Sequence, residues 1–326
     1  MEFTCKSSGR LDATMSEALG LPRNQVEKLI KTIGVEVDGQ RVCKSSHKLL
    51  GGEVIVYHFV EASKGKNAYE VNFDVPILYE DDAFLVVNKP PFLTVHGAPS
   101  VKEATLVDWL HVKGISLSTL SGEERHGIVH RIDKETSGAL VVAKSNAAHT
   151  ALAAQLESKS MGRYYLAIID LPLKENIVLE LPIGRNPNHR LKMAIMKEGR
   201  GAKSAFCKLA TSKDGKKELI AVKLFTGRTH QIRVHLGALS RHILGDSLYG
   251  FKSQNGTIPR VMLHAYEVYL THPNTHMPLS VHAPLLEDFE TTLAHLFSKE
   301  EYDEKIKPDC VRHCFDAVDE WVRKDA

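Results

Sequence analysis

The sequence predicts an α+β protein in two parts. The main part carries a mixed, largely antiparallel sheet flanked by helices, and a small α/β domain precedes it. Three observations predict this. Short strand-like runs recur from Val75 onward, divided by turn residues, with few long helices among them. Residues 10–59 carry a helix–helix–hairpin–strand pattern of their own. Between the two lies EASKGKNAYEVNFD, a polar stretch that reads as a linker. The expected division is 1–60, a linker at 61–74, a main domain at 75–297 and a helical extension at 298–326.

In the small domain, Asp12–Leu19 reads as a short helix, and Pro22 stands where a second can begin. Val26, Leu29, Ile30 and Ile33 give that second helix one apolar face, and Gly34 ends it. VEV, Asp38-Gly39 and QRV read as a hairpin. EVIVYHF is a strand with Val54, Val56 and His58 facing opposite to Ile55, Tyr57 and Phe59. In the main domain, PILYEDDAFLVVNKP holds two short strands around an Asp-Asp turn. IVHRID reads as a strand end, and Ala139–Ser145 as the next strand. SNAAHTALAAQLESKS is the clearest helix, with Ala148, Leu152 and Leu156 at helical spacing and Gly162 past its end. RYYLAIID is an alternating strand, and KSAFCKLA and ELIAVKLF are further short strands. HQIRVHLGAL reads as a helix with Ile232, Leu236 and Leu239 on one face. His230, Arg233 and His235 lie off that face.

The 326 residues suffice for two domains and a sizeable core, and 43% hydrophobic with 25% charged content is that of a soluble globular protein. No apolar run approaches the roughly 20 residues that span a bilayer, and MEFTCKSSGR has no apolar signal core. Cys5, Cys43, Cys207, Cys310 and Cys314 are an odd, scattered set, expected as reduced thiols of a cytoplasmic protein. CVRHC offers two Cys and one His at helical spacing and reads as core or surface thiols rather than a metal site. His230 and His235 are five apart, with no HExxH, so no metal is expected there either. The net charge of +2 hides a basic segment from Arg185 to Arg241, where Glu198, Asp214 and Glu218 are the only acids. Such a segment can cover a polyanion through phosphate contacts.

The stretch HRIDKETSG, from His130 to Gly138, is the most informative in the chain. It sets Asp133 near a strand end and a Gly turn, where a scaffold can hold an acid in a cleft. The alternative is a structural acid that caps the turn or pairs with Arg131. A second stretch, Leu224 to Gly250, sets Arg228, His230 and Arg233 around a turn and a helix start. A buried carboxylate beside an arginine stays ionised, which a nucleophile or general base requires.

Together the two stretches resemble the RluA-type pseudouridine synthases. His130, Arg131, Ile132, Asp133, Thr136, Ser137 and Gly138 match the family's signature, and Thr226 to His235 its later motif. Arg163, Tyr165 and Ala167 match a third element, and Asn88, Lys89, Pro90, Val95 and His96 a fourth. The likeness runs from about Val75 to Phe289. Residues 9–59 resemble instead the RNA-binding domain of the ribosomal-protein-S-four type.

The resemblance implies an isomerase that detaches uracil from ribose, turns it and reattaches it through carbon. That reaction needs no cofactor. Asp133, Tyr165 and Arg233 are the implied catalytic residues: Asp133 drives cleavage, Tyr165 stacks on the base, and Arg233 keeps Asp133 ionised. Arg131 is expected to fill the space left by the flipped uridine. Lys89, His96, His130, Thr136, Arg228, His230 and Gln231 are expected to contact substrate. Arg10, Arg23, Lys28, Lys31, Arg41 and Lys44 are expected to line an RNA-binding surface. The expected partner is structured RNA, large-subunit ribosomal RNA above all, with no membrane involved and the protein acting as a monomer. A non-enzymatic RNA-binding or ribosome-assembly protein is the alternative. A sugar hydrolase would want a second carboxylate beside Asp133, and the sequence offers none in a comparable context.

Overall fold

The structure is a computed structural model that describes residues 1–326 except 20–22, 59–68, 99, 123–124, 251–257, 259 and 326, and except the side chains of 24, 25, 28 and 32. Pro22, Phe59 and most of the expected linker lie outside the described residues. Packing of Cα atoms divides the chain into two units, Met1–Tyr69 with Thr119–His126 and Glu70–Ser118 with Gly127–Ala326. The boundary falls within the stretch read as a linker. The segment 119–126, read as main domain, joins the first unit.

The first unit runs β1 (Glu2–Thr4), β2 (Gly9–Arg10), α1 (Leu11–Leu19), α2 (Arg23–Thr32), β3 (Val35–Val37), β4 (Gln40–Val42), β5 (Lys48–Leu49) and β6 (Val54–Val56). Its sheet has the order β1-β6-β3-β4, with all pairs antiparallel. Asp38 (φ 48) and Gly39 (φ 79) are both left-handed, as a two-residue hairpin turn requires. Val26 and Ile30 face inward with Leu11, Met15, Val35 and Ile55. Asp12, wholly buried, accepts two bonds from Arg10 and two from Arg23.

The second unit runs β7 (Ile77–Glu80), β8 (Phe84–Lys89), α3 (Leu106–Val112), β9 (Ser137–Ala143), α4 (Asn146–Ser158), β10 (Gly162–Ile169), β11 (Ile177–Glu180), β12 (Ile183–Arg185), β13 (Met193–Ile195), β14 (Lys203–Thr211), β15 (Glu218–Leu224), α5 (Gln231–Ala238), β16 (Leu263–Thr271), β17 (Pro278–His282), α6 (Glu287–Leu296), α7 (Lys299–Tyr302), α8 (Pro308–His313) and β18 (Val322–Asp325). Its main sheet has the order β18-β11-β14-β15-β10-β16-β9-β8-β7, with β17 against β16. Only β9–β16 and β11–β18 pair in parallel, so the sheet is mixed and largely antiparallel. Among the described residues no helix is long and apolar enough to cross a membrane.

Several local expectations are corrected. IVHRID forms no strand, only a single bridge from Ile128 to Val142. The His130 imidazole accepts the Val141 N–H, which a strand neighbour's carbonyl would otherwise take. β10 does not alternate: all eight residues are buried, because both faces of the sheet are packed. Gly162 lies past the end of α4, as expected, and opens that strand, while the helix closes on Lys159 in the left-handed region. The tail is not wholly helical. After α8 it ends in β18, which covers the edge of β11. Tyr302, Val311 and Phe315 enter the same core as the sheet.

Candidate active site

Asp133 sits on a turn closed by the Thr136 N–H donating to its carbonyl, just before β9. Gly138 (φ 111) fixes the start of that strand, since a Cβ there would stand 2.2 Å from the Ala265 carbonyl oxygen. Only glycine lets β9 approach β16 so closely. The Ser137 hydroxyl adds a 2.8 Å bond to the His264 ring in β16. The loop carrying Asp133 is thus tied to the centre of the sheet.

The opposite wall comes from α5. Arg233 points its Nη1 at Asp133 Oδ2 (3.1 Å), while its Nε and Nη2 fork onto Asp246 at 2.7 and 2.8 Å. Asp246 also accepts the N–H groups of Leu248 and Tyr249. The Tyr249 ring lies 5.0 Å beneath the guanidinium. Glu135 Oε2 stands 4.0 Å from Arg233 Nη2. Burial weighs against the Arg233 charge, yet Asp246 and then Asp133 hold it more firmly protonated than an ordinary arginine. Burial opposes ionisation of Asp246 too, but the Arg233 bonds keep its carboxyl below the usual range. Burial raises Glu135, with Arg233 pulling the other way.

His230 stands at the head of α5 in the left-handed region (φ 56) and places Nε2 4.0 Å from Asp133. Its Nδ1 meets the Tyr249 hydroxyl at 2.8 Å. Burial lowers its pKa while Asp133 raises it, and the net direction is down, toward the neutral ring. Tyr165 lies on the floor, 3% exposed, its phenol pushed up by burial. Asp133, Tyr165, His230 and Arg233 line one open cleft together with Arg131, Thr136, Arg163 and Arg228. Arg131 is exposed there and makes no ion pair with Asp133 among the described residues.

Four of the residues expected to contact substrate are buried in the fold. Lys89 is fully buried and donates to the carbonyls of Pro90, Leu93 and Lys134, so it braces the Asp133 loop from behind. Burial pulls its ammonium down to about 7, with Asp133 opposing. His130 is buried and serves as an acceptor for Val141, held well below the usual imidazole range by burial and then by Arg163. His96 is buried and off the cleft lining. Gln231 reaches the cleft wall, but its amide is spent on Thr226, Arg228, Lys203 and Ser204. His235, expected off the apolar face, is wholly buried against Ser204 and the Leu181 carbonyl. The sequence reading also missed Asp246 and Glu135. Asp246 follows Gly245 within the stretch already singled out, and Glu135 lies two positions after Asp133.

In the first unit, Arg10 and Arg23 are half-exposed on Asp12, and Lys31 stands 3.6 Å from Glu27. Arg41 donates to the Ile33 carbonyl, and the Lys28 side chain lies outside the described residues.

A family model described as RNA pseudouridylate synthase matches residues 83–238, and one described as S4 domain matches residues 9–55. A Helicobacter pylori protein named "Uncharacterized RNA pseudouridine synthase" is 44% identical over 316 residues, 94% of this chain and 95% of its own. A Nitrosomonas europaea protein named "Ribosomal large subunit pseudouridine synthase D" is 35% identical over 293 residues, 87% of this chain and 83% of its own. Among solved structures, "Human RNA Pseudouridylate Synthase Domain Containing 1" superposes with a TM-score of 0.54 at 26% identity, over 70% of this chain and 90% of that one.

Proposed function

The chain belongs to the RNA pseudouridine synthase family, and from that premise we propose that Asp133 opens the glycosidic bond of uridines in large-subunit ribosomal RNA. One observation carries the role of Asp133. Of the three carboxylates around Arg233, Asp246 is enclosed and saturated, while Asp133 keeps 18% of its side chain exposed toward the cleft. Glu135 stands farther from Arg233 than Asp133 does and on a different nitrogen.

The target uridine must leave its stack, at a cost of a few kcal/mol. Arg131, exposed at the cleft mouth, is suited to hold the space it leaves. Tyr165 offers an aromatic surface to the base. Arg233 supplies a fixed counter-charge that keeps Asp133 oriented. The carboxylate then either bonds to the anomeric carbon or removes a ribose proton. Nothing in this chemistry calls for a cofactor, and purified protein should turn over without one, as a monomer. The ribosomal substrate is supported by the name of the Nitrosomonas relative and by the match of residues 9–55 to an S4 domain. Ribosomal RNA as substrate points to the cytoplasm as the place of action.

Asp133→Asn keeps the shape and removes the ionisable oxygen. It should lower single-turnover pseudouridine formation by about 10⁴-fold or more, with RNA affinity nearly unchanged. Turnover within about tenfold of the parent would end this reading. Comparing pseudouridine maps of ribosomal RNA from cells with and without the protein tests the substrate. An unchanged large-subunit map would reject it.

A further inference from the structure

The described part of the fold holds three buried arginines: Arg163, Arg233 and Arg260. Arg233 forks onto Asp246, and Arg260 forks onto Asp288. Arg163 differs. It is 5% exposed, its Nε has no hydrogen-bond partner, and among the described residues no carboxylate or carbonyl receives its guanidinium. A buried charge without a partner is among the costliest things a fold can hold, so its partner is to be sought in a ligand.

The location narrows which ligand. Arg163 and Tyr165 are two apart on β10 and so leave the same face of the sheet. Both line the cleft that holds Asp133. A Cβ at Gly227 would meet Arg163 Nη1 at 3.2 Å and Nη2 at 3.4 Å, so the guanidinium lies against bare backbone of the turn leading to α5. Arg131, exposed at the cleft mouth, is where a strongly hydrated phosphodiester would be met. The buried position beside Tyr165 suits the part of the nucleotide that enters deepest, the base.

The negative charge it would meet is set by the bonds that change. In one route Asp133 bonds to C1′ and the C1′–N1 bond breaks, its electron pair staying on the ring. In the other Asp133 takes the C2′ proton, the C–H pair becomes a C1′=C2′ bond, and N1 again leaves with its pair. In both, one negative charge passes from the carboxylate to the pyrimidine, shared over O2 and O4. When C5 bonds to C1′, the first route returns the carboxylate's pair to Asp133, and the second returns the C2′ proton to the sugar. The C5 proton is then lost and N1 gains one, which leaves an isomer.

We propose that Arg163 is a catalytic residue whose guanidinium receives the charge that appears on the detached uracil. This rests on the reading that Asp133 opens the bond. It adds a second cation with its own role, since Arg233 serves the acid and Arg163 serves the leaving group.

The test uses full-length protein and RNA carrying either uridine or 5-fluorouridine at the target. Fluorine withdraws electron density and makes the departing base less dependent on an outside cation. Arg163→Met should slow single-turnover base detachment on uridine RNA by about 10²–10³-fold, the usual loss for one charge-stabilising donor, with KM little changed. On 5-fluorouridine RNA the loss should be clearly smaller. Its melting temperature should equal or exceed the parent's, because an unpaired buried charge gives way to an apolar chain of similar length. Arg163→Lys should recover part of the rate. Equal losses on the two RNAs overturn the proposal. So does a normal single-turnover rate with weaker, less salt-dependent binding, which would make Arg163 a phosphate contact. If Arg163→Met does not fold, the same ratio of losses is read from Arg163→Lys. Asp133→Asn is measured in parallel. Near-normal turnover there removes the underlying reading, whereas an inert Asp133→Asn beside equal Arg163 losses removes this inference alone.

Discussion

The first unit builds an ion cluster around a buried acid, and the second builds one around a buried base. Asp12 is enclosed and gathers Arg10 and Arg23, whose side chains remain 49% exposed. Arg233 is enclosed and gathers Asp246, Asp133 and Glu135, of which Asp133 and Glu135 keep a surface toward solvent. In each case the central member is buried, and Arg10 and Arg23 in the first cluster, Asp133 and Glu135 in the second, reach the surface. The first cluster offers cations, as RNA phosphates require. The second offers a carboxylate, as attack on a sugar requires. Which sign is buried decides what the surface can do.

Breaking the centre of the second cluster should have the largest effect. Arg233→Ala leaves Asp246 buried without its cation and Asp133 without its guide. We expect a single-turnover rate lower by about 10²-fold or more and a stability loss of about 3–5 kcal/mol. Arg233→Lys should recover charge but not the fork that serves two acids at once, so stability should return further than rate. A near-normal rate with only a shallower salt dependence of binding would assign Arg233 to phosphate contact and dissolve the contrast.

Asp246→Asn is a finer probe. It keeps the shape and two backbone contacts but removes the charge that orients Arg233. A rate about 10-fold lower is expected, as for loss of a group that supports a catalytic partner, with binding retained. An unchanged rate would mean Arg233 needs no orientation from behind.

Asp12→Asn should have the smallest effect on turnover of a short substrate and act on the first unit instead. The Arg10 bond, against burial, holds the Asp12 carboxyl at about 2, and Arg23 adds to it. A folded value below the unfolded one, about 4, gives stability that is fully present above pH 4 and lost as pH falls toward 2. Amide hydrogen-exchange protection in residues 11–56, taken relative to the unfolded-chain rate at each pH, should therefore fall across that window in the parent and change less in Asp12→Asn. Identical profiles would show that the cluster adds nothing to folding.

The pairing of Asp133 with Arg233, a hundred positions apart, was legible because the two stretches resemble motifs of one family. What residue type did not disclose was exposure. Lys89 and His130 belong to the same motifs, yet a loop rich in carbonyls needs buried donors and an irregular strand edge needs a buried acceptor. Asp246 was in view but looked like turn punctuation until its two oxygens met the Arg233 fork. In β10 both faces are buried, and what covers the second one lay far off in sequence. Tyr164 is covered by Tyr269 and by Phe315 of the tail, so distant chain closes the face opposite Tyr165.

β18 has a consequence for biosynthesis. Ile177 pairs with Val322, about 145 positions later, so β11 must wait for nearly half the chain before its edge is covered. A ribosome emits about 5–20 residues per second, so that edge stays open for seconds or longer during translation. An unpaired strand edge is a template for neighbouring chains. The short, charged VRKD sequence that finally closes it is a poor candidate for runaway pairing, and a nascent chain stalled before it would be the form most in need of a chaperone.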